Sequence, residues 1–393
     1  MKPIAKSYYT PENLLLISAF IMSITFSVWN VLLNNFVVDA ANFTGKEIGI
    51  LQSLREIPGF LAFTAIYLLL FIREQMFAYI FLALMCIGVA ITGWFPSTYG
   101  LYLTTIVMSI GFHYFETVNQ SLTLQWIDKD KSARFMGKTL AIKGGGSLIA
   151  YATVWFLMEL FNVSYQTTYM LFGVCGLALV VMLWISFPQF QQSHQQHKKL
   201  ILRKQYWLYY MLTFLSGARR QIFIVFAGFM MVEKFGYSVG EISLLFIINY
   251  IFNMLFAAKI GGWISKVGEK RALTFEYIGL ILVFTGYAFV ENSHLAAALY
   301  VVDHLFFALA IAMKTYFQKI AQPEDIAATA GVSFTINHIA AVFIPALLGI
   351  LWLHSEMLVF MIGVGFAVCS LICSRLIPHS PRQGLETTFV KVQ

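Results

Sequence analysis

The strongest constraint on this chain is the alternation of long apolar runs with short polar breaks, and one break stands apart. Residues 188–205 (Pro-Gln-Phe-Gln-Gln-Ser-His-Gln-Gln-His-Lys-Lys-Leu-Ile-Leu-Arg-Lys-Gln) are the longest water-seeking stretch, close to the middle of the 393 residues. About six apolar runs of roughly 20 residues lie on each side, each long enough at ~1.5 Å per residue to cross a hydrocarbon layer. The runs are 14–38, 47–72, 76–95, 99–126, 135–158, 166–187, 207–232, 241–264, 272–290, 295–318, 327–352 and 357–376. The two flanks also repeat one another. Thr44-Gly45-Lys46-Glu47-Ile48-Gly49 matches Ser238-Val239-Gly240-Glu241-Ile242-Ser243, 194 positions later. The same offset carries Asp130-(x)6-Gly137 onto Glu324-(x)6-Gly331. Two places agreeing on one spacing indicate a duplication. The fold class expected is an all-α integral membrane protein with about 12 transmembrane helices in two pseudo-symmetric six-helix bundles. Its parts are an N-terminal half at 1–187, a linker at 188–206, a C-terminal half at 207–376 and a tail at 377–393.

Composition supports this and removes other classes. Charged residues make up 11% and hydrophobic ones 59%, whereas a soluble domain carries about a quarter charged residues. A net charge of +7 would suggest nucleic acid as a partner for a soluble protein, but its distribution argues for a lipid bilayer instead. Lys and Arg crowd alternate loops: Lys2 and Lys6; Arg73; Lys129, Lys131 and Arg134; 198–204; Lys266, Lys270 and Arg271; Lys319; Arg375, Arg382 and Lys391. The other loops carry Lys46 and Lys234 among Asp39, Glu47, Glu159, Glu233, Glu241, Glu291 and Glu356. This bias places the linker and both termini in the cytoplasm and the protein in the plasma membrane, a cell inner membrane. Trp94, Trp126, Trp184, Trp207, Trp263 and Trp352 fall at run ends, where an interfacial belt is expected. The first run has no small-residue cleavage site after it, so it is expected to be retained.

Enzymatic classes find no support. There is no HExxH, no GxSxG and no aspartyl pair, and the short connections leave no room for a soluble catalytic domain. His194-Gln195-Gln196-His197 sits in the solvated linker, and Cys86, Cys175, Cys369 and Cys373 lie inside apolar runs. No catalytic residue, metal site or cofactor is expected.

Polar residues inside the runs are costly and mark function or pairing. The first run carries Asn30 and Asn34 on one face, and the second Arg55-Glu56 close to mid-depth, followed by Pro58-Gly59 as a bend. The fourth bears Ser109, His113, Glu116, Gln120 and Thr123, a single helix face by their spacing. On the fifth, Lys143 precedes Gly144-Gly145-Gly146, glycines expected to admit a neighbouring helix backbone. The seventh holds Arg219-Arg220. Successive helical residues point about 100° apart, so one arginine is expected to reach a central cavity and the other to pair with a neighbouring helix. Asn249 and Asn253 mark the eighth, Asp303 and His304 the tenth, and Asn337-His338 the eleventh. Runs three, six, nine and twelve lack mid-membrane charge, Glu276 standing near the cytoplasmic end of the ninth, so every third helix is expected to face lipid.

After the eighth run comes Gly261-Gly262-Trp263-Ile264-Ser265-Lys266-Val267-Gly268-Glu269-Lys270-Arg271. It resembles the signature loop of the major facilitator superfamily: Gly, three residues, Asp-Arg, one residue, Gly, then basic residues. The resemblance implies a latch on neighbouring helix ends, formed by Gly261, Ser265, Lys266, Gly268, Lys270 and Arg271. Ser265 replaces the family's Asp and is expected to cap a helix end rather than form an ion pair. The first-half loop 70–75 lacks the glycines altogether. The resemblance also implies alternating access, a cavity lined by spans one, four, seven and ten, and a monomer.

These features point to a secondary transporter for a small polar solute, expected to be anionic or zwitterionic, coupled to protons. Asn30, Asn34, Arg55, His113, Glu116, Lys143, Arg219, Arg220, Asn249, Asn337 and His338 are the candidate solute ligands. Glu56, Glu116 and Asp303 are the candidate proton carriers. Two alternatives are efflux of amphipathic compounds through a cavity rich in Phe and Met and a non-transporting membrane sensor.

Overall fold

The computed structural model describes residues 8–127, 129–191, 202–322 and 325–389. Most of the linker, with His194 and His197, lies outside the described residues, as does Glu324 of the second repeat match. Fifteen α-helices follow among the described residues, and three short 3-10 or π turns join six of them end to end, so that twelve helical stretches result. In the first half they are α1 (Pro11–Ala41), α2 (Gly45–Phe60), α3 (Glu74–Thr92), α4 (Thr98–Trp126), α5 (Lys129–Trp155) and α6 (Tyr165–Ser186). The second half has α7 (Trp207–Gln221, carried on by Ile222–Ala227 and Gly228–Glu233), α8 (Val239–Val267), α9 (Glu269–Phe289), α10 (Ser293–Phe307, carried on by Ala308–Ala310 and Ile311–Ile320), α11 (Ile326–Trp352) and α12 (Glu356–Arg375). Ten of the stretches are long and apolar enough to cross a membrane. The other two, α2 and α4, are those into which the sequence puts Arg55-Glu56 and the His113–Glu116 stripe.

The helix starts are written in short polar residues. Thr10, Ser97, Ser164, Asn292 and Ser355 each accept a hydrogen bond from the backbone N–H three residues on, satisfying donors that have no partner within the helix. The duplication appears at the same level. Helices α2 and α8 begin at Gly45 and Val239, which preserves the 194-residue offset. The Thr44 N–H donates to Glu47 Oε2 at 3.1 Å and the Ser238 N–H to Glu241 Oε2 at 2.8 Å, matching capping boxes in both halves. Beyond Pro58-Gly59, where a bend is expected, α2 stops at Phe60 and its hydrogen bonding tightens into a 3-10 turn, Leu61–Thr64.

The chain divides into two compact units. In the first, α1 packs along α5 and α6, and α3 along α4 and α6. In the second, α7 packs along α11 and α12, and α9 along α10 and α12. These pairs correspond under a shift of six helices. The units exchange helix ends: residues 44–53 at the start of α2 belong to the second unit, and 237–247 at the start of α8 to the first. Inside the second unit the α2 end is packed by glycines. A Cβ added at Gly49 would land on the Pro345 carbonyl and lie 3.0 Å from the Gly349 Cα, so backbone meets backbone there. Inside the first unit the α8 end is held by polar bonds, with Glu159 Oε1 accepting from the Ser238 hydroxyl at 2.8 Å and the Gly240 N–H at 3.0 Å.

Two expectations need correction. The glycine triplet admits a neighbour only at Gly146, whose added Cβ would meet Phe20 and Ser23 at 3.3 and 3.4 Å. Around Gly144 and Gly145 there is open space among the described residues. Helix α9 does not present a uniformly lipid-facing surface, because Glu276 is buried against α7. The tail packs back on the second unit: Ile377 is fully buried, the Tyr316 hydroxyl donates to the Glu386 carbonyl at 2.6 Å, and Gln383 donates to the Ala321 carbonyl at 2.8 Å.

Candidate functional site

The first unit builds its polar interior from α1, α4 and α5. A serine ladder fixes α1 to α5. Ser23 donates to the Lys143 carbonyl at 2.5 Å, and Ser27 donates to the Ser147 hydroxyl at 2.8 Å. With its backbone held there, Lys143 extends its ammonium to both oxygens of Glu116 on α4, at 2.8 and 2.9 Å. The two side chains keep 24% and 27% of their surface exposed. Lys143 lies eight residues inside the span that begins at Phe135, roughly 12 Å deep at 1.5 Å per residue. A charge pair exposed to lipid at that depth is costly. Phe26 on α1 stacks on Phe112 of α4, with ring centroids 4.5 Å apart and planes 23° from parallel, and Trp29 and His113 flank the pair. Asn30 is half-buried on the Phe26 face and Asn34 is buried one turn on.

Arg55 and Glu56 are both buried and pair with each other, Arg55 Nη2 to Glu56 Oε1 at 2.5 Å and Arg55 Nε to the same oxygen at 3.1 Å. The Ser109 hydroxyl donates to the Arg55 carbonyl, which fixes α2 against α4. His113 is buried, whereas Gln120 of the same stripe is exposed.

The second unit is drier. Arg219 and Arg220 separate as helical geometry requires: Arg219 is buried and Arg220 exposed. Arg219 is the arginine that meets a neighbouring helix, with Nη1 3.8 Å from Glu276 Oε1 on α9 and its guanidinium 4.5 Å from the Tyr277 ring centre. A π-helical turn, Ile222–Ala227, follows directly and shifts the register of α7 beyond the arginines. Asp303 on α10 is fully buried within electrostatic reach of Arg219 and Glu276. Among the described residues, both Asp303 oxygens, Arg219 Nη1, Glu276 Oε2 and the Tyr287 hydroxyl lack a hydrogen-bond partner. Asn249 is buried with its Oδ1 likewise unmet, and its neighbour Asn253 bonds His304 at 2.7 Å. On α11, Asn337 is half-buried, and His338 is buried with Nδ1 2.9 Å from the Phe334 carbonyl.

The loop between α8 and α9 ties helix ends by an arrangement its sequence conceals. The Ser265 hydroxyl bonds back to the Gly261 carbonyl of its own helix at 3.0 Å, so it caps nothing. Gly268 turns the chain with φ +86°, a conformation that favours glycine. Lys270 then donates to the Arg375 carbonyl at the end of α12 at 2.8 Å, and Glu269 receives Lys319 from the end of α10 at 2.6 Å. Lys266 and Arg271 are exposed. The loop of the first unit does the same with different residues. Glu74 accepts from Ser121 and Gln125 of α4 at 3.1 and 2.7 Å, and Gln75 bonds the Pro188 carbonyl and the Phe190 N–H beyond α6, both at 2.9 Å.

Sequence reasoning missed Glu276, Phe26, Phe112 and the serines of α1. Glu276 looked peripheral because its sequence position is near a run end, while its partner comes from another helix. The serines stand at 23, 27 and 147, and the four-residue step between the first two was the available signal.

The family model described as Major Facilitator Superfamily matches residues 15–345. No curated protein matches the chain significantly. Among solved structures, the nucleoside transporter NupG is 18% identical with a TM-score of 0.73, covering 93% of this chain and 98% of that one. A bacterial homolog of the human lysosomal transporter Spinster, in an inward-facing and occupied conformation, is 15% identical with a TM-score of 0.69, covering 95% and 97%. A POT family transporter in complex with 5-aminolevulinic acid is 12% identical with a TM-score of 0.72, covering 92% and 94%. At these identities the likeness is one of fold.

Proposed function

This chain belongs to the major facilitator superfamily and is a multi-pass membrane transporter, and we propose that its solute is a small polar molecule without net charge, a zwitterion or a neutral compound, moved by alternating access with proton coupling. One observation carries this reading. Three of the cations expected to hold an anion already sit on carboxylates: Arg55 on Glu56, Lys143 on Glu116 and Arg219 on Glu276. In the first unit the two pairs balance one another in charge, so a solute with net charge that met them would have to break one. A zwitterion can add an ammonium beside Glu116 and a carboxylate beside Lys143 and leave the balance intact. Asp303 supports the coupling. It is fully buried with no donor to either oxygen among the described residues, and the chemistry open to such a carboxylate is to take up and release a proton. Glu56 and Glu116 already hold cations and are weaker candidates. The loop charges support cytoplasmic termini and a location in the inner membrane, and a single chain, holding both units, suffices as a monomer.

The test is uptake into proteoliposomes. Zwitterionic and neutral polar solutes should be accumulated when the outside is acidified, and dicarboxylates should not. Asp303→Asn should abolish accumulation driven by the pH gradient while sparing solute exchange across the membrane. Preferential uptake of dicarboxylates would restore the anion reading, and wild-type accumulation by Asp303→Asn would remove Asp303 from the coupling.

A further inference from the structure

The first unit holds a flat apolar plate beside its half-exposed ion pair, and we propose that this plate receives a planar ring of the solute. The inference rests on the polar-solute reading and narrows it to a compound that joins an uncharged flat ring to a polar or zwitterionic group.

The plate is Phe26 stacked on Phe112, with centroids 4.5 Å apart, and both side chains remain half-exposed. Each belongs to a helix face that is otherwise polar. Asn30 follows Phe26 by one turn of α1, and Glu116 follows Phe112 by one turn of α4. The ring pair and the Lys143–Glu116 pair therefore open in the same direction. Packing alone does not call for aromatics on a polar face. A ligand whose ring continues the Phe26–Phe112 stack would lay its polar end one helical turn away, about 5.4 Å, where Asn30, Glu116 and Lys143 supply donors and acceptors. Stacking a flat ring on an aromatic side chain is worth roughly 10-fold or more in affinity. An aliphatic solute of the same charge leaves the plate uncovered and forgoes that gain.

Two matched pairs of probes test this by titration calorimetry of the full chain in detergent: L-tryptophan against L-serine as zwitterions, and uridine against ribose as neutral compounds. In at least one pair the ring-bearing member should bind about 10-fold or more tightly than its ring-free counterpart. Phe112→Leu, which keeps an apolar side chain of similar bulk, should lose that advantage and leave the ring-free member unchanged. Phe26→Leu should do the same, and it carries the test if the melting temperature of Phe112→Leu without solute shows that this variant is misfolded. Equal binding within both pairs, or a ring advantage that survives both substitutions, overturns the inference and leaves the polar-solute transporter standing. Binding by none of the four overturns both this inference and the uncharged polar-solute reading.

Discussion

The two units, built on matching helix pairs, handle charge in opposite ways. In the first, Lys143 and Glu116 form a bidentate pair that keeps about a quarter of each side chain exposed, next to open space at Gly144 and Gly145. In the second, Arg219 and Glu276 are 4% and 5% exposed, stand 3.8 Å apart, and leave polar atoms without partners among the described residues. The first arrangement can exchange partners with a solute at little cost, because water and ligand compete for the same groups. The second is buried and costly to disturb. Duplication evidently supplied the scaffold twice and left each copy free to take its own chemistry: 194 residues after Arg55 stands Asn249.

The largest test of this contrast is Glu276→Gln. It strands a buried Arg219 and should lower stability by about 3–5 kcal/mol, read as a large fall in the detergent melting temperature. Replacing both partners, Arg219→Met with Glu276→Leu, should recover most of the loss. If the single variant melts like the wild type, the dry pair is no constraint and the contrast fails. An intermediate effect is expected at the loops, where the roles of the units reverse. Gln75 is 1% exposed and makes its two bonds as a neutral group, so Gln75→Leu should cost about 2 kcal/mol. Lys270 bonds Arg375 near solvent, and Lys270→Met should cost less than about 1 kcal/mol. Parallel melting curves for the two variants decide it, and a larger loss at Lys270 would make the charged loop the stronger tie. The smallest effect on stability should come from Glu116→Gln, at under about 1 kcal/mol, together with a drop of roughly tenfold or more in solute affinity. A stability loss comparable to that of Glu276→Gln, with solute affinity unchanged, would show that the first unit's pair is structural as well.

Much of the architecture was legible beforehand, because a bilayer admits few solutions: a polar break flanked by runs of about 20 apolar residues can only be helices. The capping boxes at Thr44 and Ser238 were legible through their spacing to Glu47 and Glu241. The folded tail was not, since Tyr316 and Ala321 bind it from 70 and 62 residues earlier in the chain. Nor was the second loop's ion pair, because the resemblance directed attention to Ser265 while Glu269 makes the bond.

The sequence by itself determined that the chain is helical, membrane-spanning, duplicated and charged at mid-depth. Those properties depend on local periodicity and on the cost of polar groups in hydrocarbon, which are additive along the chain. Only the tertiary structure decided which charge meets which: Lys143 with Glu116 rather than Glu56, Arg219 with Glu276, and Asp303 with no hydrogen-bond donor among the described residues. A partner is chosen by distances of a few ångströms between helices far apart in sequence, and the rotation of each helix that sets those distances comes from packing along its whole length.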